Sequence, residues 1–469
     1  MIPGALKVLF AASEVYPLAS TGGLASVVAE LPGALIGEGL DVRVIIPYYG
    51  DLSGRKGIRW VGSGKTYLGE DFGIARTKLL NGVWVYLVAR DEDFSRKGFY
   101  GPTPDTAWPD NCRRFAFFSR AVEASPAITG FKPDVFHCHD WQTGLLPVYL
   151  HRAGIPSVFT IHNLAFQGRF GPESWPASGL PDEFFRPDRL EFWGDWNMMK
   201  GGILFAGAVT TVSPSYAREI RTPRFGFGLE SVLEHEKRKL HGILNGIDHD
   251  CWNPETDSVI PATFGPGSMA GRKRCRRELA REMGLPEGGG PLVGMVTRLT
   301  AQKGVDLVLE ALPGLVGRGM RLAVLGTGEA EWERAFRAAA ARYPDTVSVR
   351  IEYCDSLARR IFAGSDVFLM PSMFEPCGIS QMIAMRYGSV PLVRRTGGLG
   401  DTVSGETGFL FEASGDFPRA LDAVSELWQS GPSRWTRKRK LCMKTDNSWK
   451  NRTAGYLKLY RRAKESMLP

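Results

Sequence analysis

Short apolar runs rich in β-branched residues alternate with segments of helical periodicity along almost the whole chain. In the first half, KVLFAA (7–12), DVRVIIPY (41–48), VWVYLV (83–88), DVFHCH (134–139) and SVFTIH (157–162) read as buried strands, and AVTTVS (208–213) continues them. Between them, LASVVAELPGALIGEG (24–39) and NCRRFAFFSRAVEASPAI (111–128) carry the three-to-four-residue period of helices with one buried face. In the second half LVGMVT, RLAVLG, VSVRIE, VFLMPS and SVPLVR take the strand part, with GVDLVLEALPGLV and EWERAFRAAAARY as helices. Strands that are apolar at consecutive positions are covered on both faces, as in parallel sheets flanked by helices. The pattern predicts an α/β protein of two doubly wound, Rossmann-like domains.

The segment 251–271, CWNPETDSVIPATFGPGSMAG, is dense in proline and glycine and weak in periodicity. It reads as the linker, with a boundary near residue 255. Ligands of doubly wound sheets bind at the carboxyl ends of the strands. With two such sheets, the expected site is the cleft between domains.

Composition narrows the class. The chain has 469 residues, 43% hydrophobic and 23% charged, ordinary values for a soluble globular protein. No apolar run approaches twenty residues, so no membrane span is expected. The opening MIPGALKVLFAASEVYP lacks a basic stretch before its apolar part and reads as a first strand, not a signal peptide. Seven irregularly spaced cysteines give no disulfide framework, and a reducing cytoplasm is the expected location. The net charge of +8 is scattered apart from GRKRCRR (271–277) and RKRK (437–440), read as solvated faces. No basic stripe interleaved with aromatics suggests a nucleic-acid groove. Small phosphate-bearing molecules are the expected anions.

Several loops carry candidate chemistry. Thr21-Gly22-Gly23-Leu24 returns as Thr396-Gly397-Gly398-Leu399, each time before a plausible helix start. A glycine pair there lets backbone approach a ligand and aims N–H groups at an anion, although tight turns need glycine for steric reasons alone. Gly326 and Gly328 in VLGTGEAEW form a third such junction. Arg298 and Lys303 follow a strand and precede a helix, where two cations would suit a diphosphate, or would be ordinary surface charges. Glu375 follows another strand, placed to bind sugar hydroxyls or to stabilise a cationic transition state, and Cys377 beside it reads as a small buried thiol. His137, Cys138, His139 and Asp140 look like metal ligands, but strand alternation points Cys138 away from both histidines and no second ligand cluster appears. Asp140 before Trp141 suits a sugar held against an aromatic, and His162 with Asn163 ends a strand as either core or ligand contact.

Eight colinear motifs carry a resemblance: SEVYPLASTGGLASVVAELP, HCHDWQTGLLP, FTIHNLAFQG, TVSPSYAREI, GILNGIDHDCWNPETD, RLTAQKGVDLV, MPSMFEPCGISQM and RRTGGLGDTV. Together, from about residue 6 to about 460, they resemble the bacterial and plant glycogen/starch synthases, glycosyltransferase family 5. The resemblance implies a GT-B fold: an acceptor-side domain over 1–255, a nucleotide-sugar-binding domain over 256–449, and a C-terminal helix, about 450–469, completing the first domain. It implies transfer of glucose from ADP-glucose to the non-reducing end of an α-1,4-glucan with retention of configuration, and no metal or other cofactor. Arg298 and Lys303 then resemble the pair that neutralises the donor diphosphate, and Glu375 the carboxylate that contacts the sugar. Ile383 stands where a wider pattern has a second glutamate. His162 resembles the histidine meeting the donor glucose, with Asp140 and Asn163 beside it. Asn245 is similar to a cleft asparagine, Tyr353 to the aromatic that stacks on adenine, and Tyr100 to a tyrosine near the sugar. Thr396, Gly397, Gly398 and Leu399 match the loop whose backbone contacts the donor, while Ser20, Gly22 and Gly23 belong to the first loop.

The chain departs from the family pattern at three places. Ser20 and Ser26 stand where the first loop has lysine and aspartate, and Met373 stands where PSRFEPCG has arginine. A hydrogen bond to a charged group is worth about 1.5–3 kcal/mol, so losing the lysine costs roughly one to two decades in turnover. Three readings follow: an active glucan synthase, a weakened paralogue that binds glucan or nucleotide in a regulatory role, or a related transferase making a small glucoside. The retained Arg298, Lys303, Glu375 and His162 favour the first.

Overall fold

The computed structural model describes residues 5–103 and 106–465. The chain divides into two compact units, one formed by 1–245 with 449–469 and the other by 246–448. Positions 1–4 of the expected first domain and 466–469 of the expected C-terminal helix lie outside the described residues.

The strands of the first unit are β1 (Lys7–Ala11), β2 (Asp41–Pro47), β3 (Arg59–Lys65), β4 (Asp71–Lys78), β5 (Trp84–Ala89) and β6 (Val135–His139). They continue with β7 (Ser157–Ile161), β8 (Arg169–Phe170), β9 (Glu191–Phe192), β10 (Asp195–Asn197), β11 (Ala208–Thr211) and β12 (Leu240–Gly242). Among the described residues, nine form one sheet in the order β12-β11-β7-β6-β1-β2-β5-β4-β3. Every pairing from β12 to β5 is parallel. β6 and β7 are buried at all five positions, with His137, His139, Ser157 and Thr160 enclosed among their apolar residues. The helix Thr453–Glu465 lies against β6, β7 and β11, so the end of the chain belongs to this unit.

Two features lay outside the sequence reading. β3 and β4 extend the sheet as an antiparallel edge, and β8, β10 and β9 make a small separate sheet. Exposed positions such as Arg59, Trp60, Arg76 and Lys78 break the apolar runs from which strands are recognised.

The strands of the second unit are β13 (Leu292–Val296), β14 (Arg321–Leu325), β15 (Val347–Arg350), β16 (Val367–Met370), β17 (Val390–Arg394) and β18 (Phe409–Phe411). They are parallel throughout, in the order β15-β14-β13-β16-β17-β18. Renumbered within the unit this is 3-2-1-4-5-6, the Rossmann order, whose reversal between its first and fourth strands opens a crevice for ligands. The first unit has the same reversal between β1 and β6.

The basic runs are not simply solvated faces. GRKRCRR begins the helix Ala270–Glu282, where Arg272 is buried and donates to Ser365 O. Arg276 Nε and Arg439 Nη2 each lie 2.8 Å from the buried Asp366 carboxylate. Burial by itself would raise the Asp366 pKa, but the arginines outweigh it and hold the carboxyl below its ordinary value. The proline-rich segment 251–271 is held to the same unit through Asp257, which accepts from Tyr387 at 2.5 Å and pairs with Arg359 at 3.1 Å. No helix of the described residues is long and apolar enough to cross a membrane.

Candidate active site

In the second unit the loops after β13 and β16 meet at the strand-order reversal. Lys303 ends the short turn Ala301–Lys303, and its Nζ lies 2.6 Å from Glu375 Oε2. Ser372 Oγ donates to the same oxygen at 3.0 Å. Met373 N donates to Gln302 O at 2.9 Å, lacing the two loops together. Gly304 permits the approach: its φ is +68°, and a Cβ there would lie 2.3 Å from Pro371 O. Lys303 and Glu375 are mostly buried and paired, whereas sequence alone assigned them separate contacts. Arg298 is exposed, and its side chain makes no ion pair or hydrogen bond among the described residues.

The second TGGL loop sits directly on this pair. Gly398 N donates to Glu375 O at 3.1 Å. A Cβ on Gly397, whose φ is +43°, would lie 2.0 Å from Glu375 O, and one on Gly398 would strike Cys377. Here the glycines serve close packing that holds Glu375 in place. Gly326 and Gly328 act the same way against Thr297 O and Leu299 O, bracing the loop that carries Arg298. Cys377 is buried, and Tyr353 and Met373 present exposed side chains. Thr396 and Leu399 are buried at the loop, and Ile383 is buried in the helix Ser380–Arg386.

In the first unit, Asp140 follows β6 with φ +55°, a strained value for a residue with a side chain. Its Oδ1 accepts from His162 N at 2.7 Å, tying the end of β6 to the end of β7. Burial pushes the Asp140 pKa up to about 7, against the opposing pull of that backbone bond. His162 is buried to 9% exposure, and burial pulls its pKa down to about 3. Its Nε2 lies 2.9 Å from His139 Nδ1. Asn163 Oδ1 accepts from Ala165 N at 3.1 Å. Asn245 is buried, and its Oδ1 has no hydrogen-bond partner among the described residues. Trp141 does not stand free as a sugar platform: it packs edge-on against Phe115 at 5.0 Å and its ring covers Gly168.

The first TGGL loop differs from the second. Glu14, which sequence reasoning passed over, is buried beside it. Its carboxylate accepts from Thr21 N and, at 2.6 Å, from Thr21 Oγ1, and the Gly22 amide also bonds to it. Tyr100 OH donates to the same carboxylate and lies 2.7 Å from Ser13 Oγ. An anion of the protein thus takes amides that sequence alone offered to a ligand. Burial raises the Glu14 pKa more than these bonds lower it. The available signal was a carboxylate placed just after an unbroken buried strand, in FAASEVYP. Ser20, Gly22 and Gly23 are exposed on this loop, and Ser26 is half-buried in the helix Gly23–Gly37.

Among the described residues no group of three or more His, Cys, Asp or Glu side chains is placed to hold a metal. His137 and His139 share a face of β6, with ring centroids 4.2 Å apart, and Cys138 alternates to the other face. The second unit offers two cations and a carboxylate, which suit an anionic leaving group. The first offers imidazole, carboxyl and amide groups, which suit polar recognition.

Comparison with known proteins agrees. Residues 7–235 match the family model described as starch synthase catalytic domain, and residues 290–430 match that of glycosyl transferases group 1. A glycogen synthase of Anaeromyxobacter dehalogenans is 44% identical, with 97% of this chain and 99% of that protein covered. Glycogen synthase 2 of Geobacter sulfurreducens is 45% identical over 98% of this chain and 99% of its own. The catalytic domain of starch synthase IV from Arabidopsis thaliana, solved with ADP and acarbose, superposes with a TM-score of 0.90 at 34% identity, covering 98% of this chain and all of that one. Sucrose-phosphate synthase from Thermosynechococcus elongatus, at 16% identity and a TM-score of 0.61 over 97% and 98% of the two chains, shares the fold. Two doubly wound units on this pattern are the GT-B architecture, and this chain belongs to the glycogen and starch synthase family of glycosyltransferases.

Proposed function

We propose that the protein transfers glucose from ADP-glucose to the non-reducing end of an α-1,4-glucan, with retention of configuration. The observation that carries this reading is the Lys303–Glu375 pair at the Rossmann strand reversal, 2.6 Å apart, with Arg298 exposed on the same loop as Lys303. In this reading Arg298 and Lys303 neutralise the donor diphosphate as charge develops on the leaving group. Glu375 contacts the glucose, held by Lys303, Ser372 and the second TGGL loop. Tyr353 stacks on adenine, and Thr396, Gly397, Gly398 and Leu399 shape the donor loop. Asp140, His162, Asn163, Asn245 and Tyr100 recognise the sugars, and Ser20 with Gly22 and Gly23 flanks the phosphate.

The acceptor hydroxyl attacks on the side from which ADP departs, and a phosphate oxygen takes its proton. Positioning and fixed charge then supply most of the rate. No step calls for a metal or an organic cofactor. The relatives named for glycogen synthesis give no support to a binding-only paralogue, and this chain pairs Lys303 with Glu375.

Radiolabelled ADP-glucose and UDP-glucose, each supplied with glycogen, test the reading. We expect incorporation from ADP-glucose to exceed that from UDP-glucose. Glucan binding without incorporation from either donor would exclude it.

A further inference from the structure

Three imidazoles lie in a row at one face of the first unit's sheet, and the proposed reaction uses one of them. His137 meets the Tyr460 hydroxyl at 3.0 Å through Nδ1 and Thr160 Oγ1 at 2.6 Å through Nε2, so both its nitrogens are occupied. His139 Nδ1 lies 2.9 Å from His162 Nε2. The Phe10 ring packs against His139 at 5.1 Å, and His139 Nε2 is buried without a hydrogen-bond partner among the described residues.

A neutral imidazole carries one N–H and one bare nitrogen. Burial pulls the pKa of all three rings down, so each is neutral near pH 7. In the 2.9 Å contact one ring therefore donates and the other accepts. If His162 donated from Nε2, His139 would carry its own proton on its other nitrogen, burying an N–H with no acceptor. If His139 donates from Nδ1, a bare nitrogen is buried instead. An orphaned buried N–H is the rarer defect in folded proteins. The second arrangement wins, and it leaves the His162 proton on Nδ1.

We propose that His139 is a positioning residue that locks His162 in the Nδ1–H tautomer, so that His162 offers the sugar a hydrogen-bond donor and accepts nothing from it. The proposal rests on the functional reading above for the placement of His162 against the sugar. It adds the polarity of that contact: the partner must be an oxygen lone pair.

Histidine-selective 15N labelling of the full chain, read by two-bond ring correlations, reports the tautomer without any turnover. We expect wild-type His162 to be protonated on Nδ1. His139→Asn, which keeps an N–H near the position of Nδ1, should preserve that signature, and His139→Leu should lose it. In steady state His139→Leu should lower kcat about tenfold to a hundredfold with the KM for glucan unchanged, and His139→Asn should recover most of the loss. A wild-type His162 protonated on Nε2, or a His139→Leu variant with wild-type kcat, overturns the proposal. Where His139→Leu does not fold, the wild-type spectrum and the asparagine variant decide. A wild type that transfers no glucose overturns the functional reading instead, and the tautomer still stands or falls on its spectrum.

Discussion

Lys303 Nζ lies 2.6 Å from Glu375 Oε2, joining the cation that follows β13 to the carboxylate that follows β16 where the second sheet reverses its strand order. Neither side chain is more than 15% exposed. Removing one partner of a buried ion pair leaves the other uncompensated, at about 3–5 kcal/mol. Lys303→Ala and Glu375→Ala should each lower both the denaturant midpoint and kcat, the latter by about a hundredfold. The double variant should be more stable than the sum of the single losses. Additivity within about 0.5 kcal/mol would show that the two are not coupled.

Arg298 gives the opposite pairing of effects. Its exposed guanidinium makes no ion pair or hydrogen bond among the described residues, so Arg298→Ala should stay within about 0.5 kcal/mol of wild-type stability. Its kcat/KM should nonetheless fall by about a hundredfold or more if it stabilises the leaving diphosphate. Thermal melts and initial rates on one preparation separate the two.

The repeated TGGL makes a paired test. A Cβ on Gly22 meets nothing within 4 Å among the described residues, and its φ of −177° is ordinary extended backbone. Gly22→Ala should be close to neutral for stability. Gly397 has φ +43° with Glu375 O 2.0 Å from the added carbon, so Gly397→Ala should cost about 3 kcal/mol or more. Equal melting temperatures for the two variants would refute the different roles assigned to the two copies.

Ser20 is exposed, so a longer side chain fits there. If this loop flanks the donor phosphate, Ser20→Lys adds a charged hydrogen bond and should raise kcat/KM about tenfold. Unchanged kinetics would place the loop away from the phosphate.

The buried histidines set the response to acid. His137, His139 and His162 have folded pKa values below the ordinary 6.5, His162 at about 3, so their stability is complete above about 6.5 and is lost as pH falls toward the folded values. Asp140, raised to about 7, and Glu14, also raised, act with the opposite sign, because the folded state takes up protons there as pH falls. His241 and His249, both lowered, add to the loss. The balance predicts a lower urea midpoint at pH 5 than at pH 7.5, and a steeper decline for Asp140→Asn. A midpoint that rises on acidification would contradict it.

How far the candidate residues could be read in advance varies from one to the next. Arg298, Lys303, Glu375, His162 and Asp140 each follow a buried strand, and the sequence marks such places because an apolar run ends there in a polar residue. Their partners were not marked. Lys303 and Glu375 are 72 residues apart, Glu14 reaches its loop across the β1 turn, and His139 resembled a metal ligand until its neighbour proved to be His162.

By itself the sequence determined the two doubly wound units, the strands of their cores and the family, because unbroken apolar runs specify buried parallel strands and the motifs follow one another in order. The tertiary structure alone decided which charge meets which: the order β15-β14-β13-β16 makes strands distant in sequence into neighbours, and so brings Lys303 to Glu375. It also decided that two identical tetrapeptides do different work. One closes on a buried carboxylate of its own chain, and the other packs so closely on Glu375 that no side chain fits. Hydrophobic periodicity is a local property that a sequence displays, whereas the pairing of polar groups depends on strand order and on loops meeting across it.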